Sequence, residues 1–396
     1  MAARGRSTRG RPDLGQVVRR HGAALAASRT LTPAQWRALR AIARCRTPEL
    51  GAHIAQCEAC GEQHYRYHSC GNRHCPKCQT LAKERWLAAR RAELLPVRYF
   101  HVVFTLPQLL SPLAQGNPRA LYGLLFAAAS KTLLEFARNP RWLGGQIAAT
   151  LLLHTWDQTL RHHPHVHALV PGGALRPDGS WVSAKGAFLF PVHALSKVFR
   201  GKFLATLQTW LAQGRLKLAG STAVLDKPGP QARFLASLRA KPWVVYAKPT
   251  LAGPEQALDY LARYTYKSAI SNERLRALDA HSVSFAWRDR AQGNRRRLMR
   301  LPALEFLERF ARHLLPSGFT RIRHYGLLAN RHKHTLLARA AAALSIPAPQ
   351  PPEPESAQAF CLRVLHFDPH LCPSCGRGPL RLIGLLHPSP RARAPP

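Results

Sequence analysis

Apolar and polar positions change period several times along the chain, and each change marks an element. "TPAQWRALRAIARC" (32–45) and "TLAKERWLAARRAELL" (80–95) repeat apolar residues every three or four positions, so each predicts a helix. Pro96 then opens a strand-like run, "VRYFHVVFTL". "ATLLLHTW" and "HPHVHALV" are β-rich runs separated by a short polar turn centred near Leu160, which predicts an antiparallel pair. After a Gly-Gly turn, "SWVS" and "AFLFPV" predict short strands, and "SKVFRGKFLATLQTWLAQG" an amphipathic helix closed by Gly214. "PWVVYAKP" predicts a strand, and "GPEQALDYLARYTYKSAI" a helix with Pro254 in its first turn. "HSVSFAWRD" and "RRRLMRL" predict a strand pair, followed by a helix in "ALEFLERFARHLL". Hairpins interleaved with helices imply an α+β fold with a largely antiparallel sheet.

The punctuation suggests four segments: a basic, mobile leader over 1–30, a cysteine-rich module over 31–95, a larger α+β domain over 96–335, and a Pro-rich linker with a Cys-containing tail over 336–396. The linker is "SIPAPQPPEPES".

Charge narrows the function. With 58 Lys and Arg against 20 Asp and Glu, the net charge is +38, spread from Arg4 to Arg393. A field of that size favours phosphate backbones through counterion release and argues against an enzyme of small metabolites. The N-terminus lacks the apolar run of a signal peptide, and "ALYGLLFAAAS" is too short to span a bilayer. The expected location is cytoplasmic, with no membrane partner. Thiols stay reduced there, so nine cysteines point to metal rather than disulfides.

Two C-x-x-C knuckles, Cys57/Cys60 and Cys75/Cys78, are separated by fourteen residues, close to zinc-ribbon spacing. Four thiolates would hold one Zn2+ with no open position, making it structural. Cys70, His68, His74 and His53 are further candidates for that ion or a second one. Arg73 and Lys77 lie in the same loop as candidate DNA contacts. In the tail, Cys372 and Cys375 form half of such a set, which Cys361, His366 and His370 could complete.

The stretch "RHHPHVHALVPGG" (161–173) crowds imidazoles at alternate positions. In a strand, His163, His165 and His167 share one face while Val166 and Ala168 face a core. His165 and His167 are then close enough to hold one divalent cation. The hairpin brings in His154 as third ligand, with His163, Asp157 and Gln158 as alternatives. Three neutral ligands leave coordination positions open.

In "DYLARYTYKSAISN", Tyr260 and Tyr264 lie four apart on a helix, opposite the apolar stripe and flanked by Arg263 and Lys267. A neighbouring cation can lower a phenol's pKa and prepare it for nucleophilic attack; base stacking without chemistry is the alternative. Trp156 and Trp181 could guide a single strand or belong to the core.

In order, the four-cysteine module, "YFHVVFTLP", "HPHVHALVPGG", "YLARYTYKSAISNERL" and "RIRHYGLLAN" resemble the two-tyrosine rolling-circle transposases of bacterial insertion sequences, the IS-ninety-one type, over about Leu31 to Arg331. These belong to the HUH endonucleases, named for the His-hydrophobic-His pair. The resemblance implies a ferredoxin-like antiparallel sheet with the metal site on central strands. It puts the pair on His165 and His167, the nucleophiles on Tyr260 and Tyr264, zinc on Cys57, Cys60, Cys75 and Cys78, and a further family cysteine on Cys70. It implies Mg2+ or Mn2+ at the histidines and a 5′-phosphotyrosine intermediate. The implied partners are single-stranded DNA at element ends, target DNA and further copies of the chain, in the bacterial nucleoid. The rival readings are a plasmid replication initiator or relaxase with the same chemistry, and a non-catalytic zinc-dependent DNA-binding protein. The zinc module and the lack of a helicase-like segment favour the transposase.

Overall fold

The computed structural model describes residues 11–186, 189–249, 253, 255, 256, 258, 259 and 268–389. It forms two compact units: Met1–Ala82 with Ile270–Leu314 and Pro351–Pro396, and Lys83–Ala269 with Leu315–Gln350. The sequence segments are therefore regrouped, because the first unit collects three separated stretches of chain.

In the first unit, helix α1 (Leu14–Ser28) starts at Asp13, whose carboxylate accepts from the Gln16 N–H while the Gln16 side chain caps Asp13 in return. A cap of this kind stabilises a helix start by about 1 kcal/mol. Leu14, Val17, Val18 and Leu25 are buried, each contributing about 1.5–3 kcal/mol. The leader expected over 1–30 is thus a folded helix from Leu14 onward, since its arginines line the outer face of an apolar stripe; residues 1–10 lie outside the described residues. Helix α2 (Pro33–Arg44) packs on α1 and has its own capping box at Thr32 and Gln35.

Two three-stranded sheets complete this unit. One has the order β13 (Leu380–Leu386), β1 (Ala52–Cys57), β2 (Gln63–Tyr67). The other is β11 (Arg295–Pro302), β10 (Ser282–Asp289), β9 (Leu275–Leu278). A helix over Ala303–Ala311 buries Phe306, whose ring lies 5.7 Å from that of Phe285 on β10.

The second unit is built on a five-stranded sheet in the order β12 (Ile322–Gly326), β4 (Ala148–Trp156), β5 (His162–Pro171), β3 (Tyr99–Thr105), β8 (Val245–Pro249). Every neighbouring pair is antiparallel, as the alternating hairpins predict. Phe100, Val102 and Phe104 of β3, Val166, Ala168 and Val170 of β5, and Leu151 and Leu153 of β4 face a core that includes residues of the helices Pro118–Arg138 and Val192–Ala212. The first of these helices is long and apolar enough to cross a membrane, but most of its apolar stretch is buried in that core. Of "AFLFPV", 187–188 lie outside the described residues, and the described Leu189 and Phe190 are buried in the same core without pairing in a sheet. At the Gly-Gly turn, a Cβ on Gly173 would come within 2.5 Å of the Trp181 ring, so Trp181 is a packing residue.

At the β12 edge, helix Gln79–Arg91 and helix Lys333–Ala343 meet through charge. Glu93 accepts from Arg90 and from Lys333, each at 2.7 Å. Arg90 also donates to His324 Nε2 at 3.1 Å, and His324 Nδ1 lies 3.0 Å from Thr150 Oγ1. A guanidinium can only donate, so Nε2 must carry a lone pair and the ring is neutral. Burial, then the charges of Arg90 and Lys333, lower the His324 pKa to about 4. A folded pKa below the unfolded value near 6.5 means that stability is full above 6.5 and falls as pH drops towards 4. We expect up to about 3 kcal/mol to be lost over that window. His324→Gln should flatten this part of a denaturant-midpoint curve against pH; an unchanged slope would refute the assignment.

Candidate metal centre

On β4 and β5, His154 sits directly opposite His165, and Leu152 opposite His167. The hairpin between them closes as its sequence requires. Leu160 takes a positive φ of 63°, and the Asp157 carboxylate accepts from the Thr159 and Arg161 amides at 2.8 and 2.9 Å. This turn sets the register, which puts three imidazoles on one sheet face. One ring nitrogen from each of His154, His165 and His167 lies within 4.8 Å of the others. His163 does not join them, although its ring is 5.1 Å from that of His165. Of the residues named as candidates for a third ligand, it is His154 whose ring nitrogen lies with those of His165 and His167. The fourth histidine of the stretch, His162, is buried with its Nε2 2.8 Å from Tyr122 Oη and its Nδ1 bonded to Ser111 Oγ.

The rings are held for coordination. His165 Nδ1 lies 2.7 Å from the His163 carbonyl, which can only accept, so a neutral ring carries its proton on Nδ1 and turns an Nε2 lone pair to the cluster. His165 Nε2 and His167 Nε2 are 3.1 Å apart. His167 Nδ1 is 2.8 Å from Nε2 of His101 on β3, whose pKa burial lowers to about 4, leaving it a neutral partner. The sequence reading passed over His101; its place in "YFHVVFTLP", on a strand pairing with β5, was the available signal. Three inward nitrogens, each position fixed by the sheet, fit a single dication. The all-nitrogen donor set favours a transition-metal ion over Mg2+, which prefers oxygen ligands. His154 and His167 are buried, and Trp156 stacks on His154 with centroids 4.6 Å apart.

Tyr260, Tyr264, Arg263 and Lys267 lie outside the described residues. Leu258, two positions before Tyr260, is described and buried. It packs in a cluster with Leu152 and Leu169, which share the histidine face, and its neighbour Asp259 pairs with Arg91 at 2.8 Å.

The cysteines assemble differently from the single set expected. Cys75 and Cys78 join Cys45 and Cys70, whereas Cys57 and Cys60 join Cys372 and Cys375; within each set the sulfurs lie within 4.8 Å of one another. Cys57 and Cys60 are carried away because β1 and β2 form a hairpin whose turn ends beside the tail strand β13. Cys45 comes in from the end of α2, a position that has no knuckle to mark it. Crowding shows in the thiol chemistry of the first set. Cys45 is lowered to about 7, chiefly by hydrogen bonding from Cys70, while Cys70 and Cys75 are pushed up, each chiefly by Cys45. Four sulfurs this close satisfy one another poorly as thiols and fit a tetrahedral Zn2+. Neither Cys361 nor a tail histidine enters a set among the described residues. Lys77 is held by Asp13 at 2.8 Å and Arg73 is half-buried, so the charges expected to meet DNA in that loop are partly engaged.

Comparison with known proteins fits this arrangement. Residues 17–106 match a family model described as "Transposase zinc-binding domain", of the IS91 type, and residues 148–335 match one described as "Putative transposase". A "Putative transposase" of Sinorhizobium fredii is 46% identical over 330 residues, covering 83% of each chain. The transposase for insertion sequence element IS801 of Pseudomonas savastanoi is 28% identical over 345 residues, covering 84% of this chain and 79% of that one. Among solved structures, a metal-bound conjugative relaxase in complex with oriT DNA aligns over 58% of this chain and 94% of that chain at 14% identity, with a TM-score of 0.25, too low to carry an argument. With two family models along its length and a relative nearly half identical across most of it, the chain belongs to the insertion-sequence transposases that carry an N-terminal zinc-binding domain.

Proposed function

We propose that this transposase nicks and rejoins single-stranded DNA through a tyrosine ester, with His154, His165 and His167 holding a divalent cation, Mn2+ in preference to Mg2+, beside the scissile phosphate. The observation that carries the reading is the three-imidazole cluster on a sheet face to which Leu258, two residues before Tyr260, is also anchored. When bound, the cation would offset negative charge growing on the non-bridging phosphate oxygens. The chain supplies the rest. The phenolate oxygen of Tyr260 or Tyr264 bonds to phosphorus, the bond to the 3′-oxygen breaks, and that oxygen takes a proton to leave a free 3′-hydroxyl. The product ester is a 5′-phosphotyrosine, which keeps the bond energy for rejoining, so no nucleotide cofactor is needed. A second tyrosine allows a second strand to be held at the same time, as exchange between element and target requires. Trp156, stacked on His154, offers a surface for a base. The exposed arginines of β11, Arg295, Arg296, Arg297 and Arg300, offer phosphate contacts. Such a protein would be found with the nucleoid.

The test is a labelled single-stranded oligonucleotide from an element end, incubated with protein and Mn2+ and run on a denaturing gel. A covalent protein–DNA band is expected, and the Tyr260→Phe plus Tyr264→Phe chain should lose it while still binding the oligonucleotide. A band that survives in that variant would overturn the assignment of the nucleophiles.

A further inference from the structure

The tail beyond the Pro-rich linker lies outside both matched family segments, which end at residues 106 and 335. Its last strand, β13, pairs antiparallel with β1 from Leu380 opposite Cys57 to Leu386 opposite Ala52. The pairing brings two knuckles of the same design together. In "CEACG" (57–61) and "CPSCG" (372–376), the glycine after the second cysteine takes a positive φ, 73° at Gly61 and 68° at Gly376. Each glycine N–H also bonds back to the carbonyl of the first cysteine, at 3.0 Å in the first knuckle and 2.8 Å in the second.

The sulfurs meet across the two knuckles. Cys57 Sγ lies 3.6 Å from Cys375 Sγ, and Cys60 Sγ lies 3.8 Å from Cys372 Sγ. The surroundings suit thiolates. The amides of Ala59 and Cys60 each point at Cys57 Sγ at 3.4 Å, and His64 Nε2 lies 3.2 Å from Cys372 Sγ. Close approach is built in as well. A Cβ on Gly378 would come within 2.5 Å of Cys57 Sγ and 2.6 Å of the Ala59 Cβ, so any larger residue there would push the tail off the site. Cys57 and Cys372 are almost wholly buried.

We infer that Cys57, Cys60, Cys372 and Cys375 form a second structural zinc site, shared between the N-terminal module and the tail, which clips β13 onto β1. Four thiolates close the tetrahedron, so this ion has no position for a substrate. The first set, Cys45, Cys70, Cys75 and Cys78, is local to the module and does not depend on the tail. The zinc-binding domain of this chain is therefore completed only when Cys372, Cys375 and β13 are in place, more than three hundred residues after Cys57.

The test counts zinc released from the full-length protein by a mercurial titrant, which displaces zinc from thiolates but not from imidazoles, so the histidine centre does not enter the count. Two equivalents are expected from the intact chain, one for each cysteine set. Cys372→Ser plus Cys375→Ser should release one, as should Cys57→Ser plus Cys60→Ser, and the chain carrying all four changes should still release one. Two equivalents from either double variant, or none from the fourfold variant, would overturn a shared site, and one equivalent from the intact chain would overturn a second site altogether. The count does not depend on strand cleavage, so it stands or falls apart from the proposed chemistry.

Discussion

His165→Ala is expected to lower the proposed metal-dependent cleavage of a single strand by roughly 100- to 1000-fold while leaving the sheet folded. The imidazole is half-exposed and faces away from the main core; what holds β5 is Val166, Ala168 and Val170 on the opposite face, with the ladders to β3 and β4. What is lost is one of three nitrogens, together with the lone pair that the His163 carbonyl keeps turned inward. Mn2+ affinity measured by calorimetry should fall together with cleavage, and the thermal midpoint should stay near that of the parent. His101→Gln makes the contrast. It touches no substrate and acts through His167, so it should weaken metal affinity by roughly 10- to 100-fold, with cleavage recovered by added Mn2+. Cleavage unchanged in His165→Ala would remove the histidine cluster from the chemistry. A His101→Gln chain that raised Mn2+ could not rescue would give His101 some role other than positioning.

The second large effect is on folding. Cys45→Ser should release the zinc of the first set and unfold the module as fully as Cys75→Ser does. Structural zinc contributes about 10 kcal/mol or more to small zinc-binding modules, far above the usual margin of a domain. With a serine in the set, three thiolates are left around a position that, among the described residues, has no other candidate ligand. Cys361→Ser, outside both sets, should change nothing. Circular dichroism and zinc content of the three variants check this. A stable Cys45→Ser chain that keeps its zinc would return the site to the knuckle pairing that spacing alone suggests.

Those two sites also mark how far the sequence could be read. The clustering of the three histidines was legible because its parts are local. The two-residue alternation puts His165 and His167 on one face of a strand, and a hairpin with a polar turn puts His154, eleven positions earlier, opposite His165. Strand geometry leaves little choice once the turn is fixed. The α+β class and the antiparallel pairing of β4 with β5 and of β10 with β11 came from the same short-range periodicity. The helix Leu14–Ser28 is hidden in the sequence because its arginines mask an apolar stripe at Leu14, Val17, Val18 and Leu25 that becomes visible only against α2.

The sequence by itself determined that cysteines occur in knuckles, that imidazoles alternate along a strand, and that the surface is strongly basic, since each is a matter of neighbours within a few residues. Only the tertiary structure decided which knuckles come together. Every C-x-x-C pair presents two thiolates with the same bite, so spacing cannot tell one partner from another. The choice is made by the β1–β13 ladder, by the room left at Gly378, and by the end of α2, which delivers Cys45.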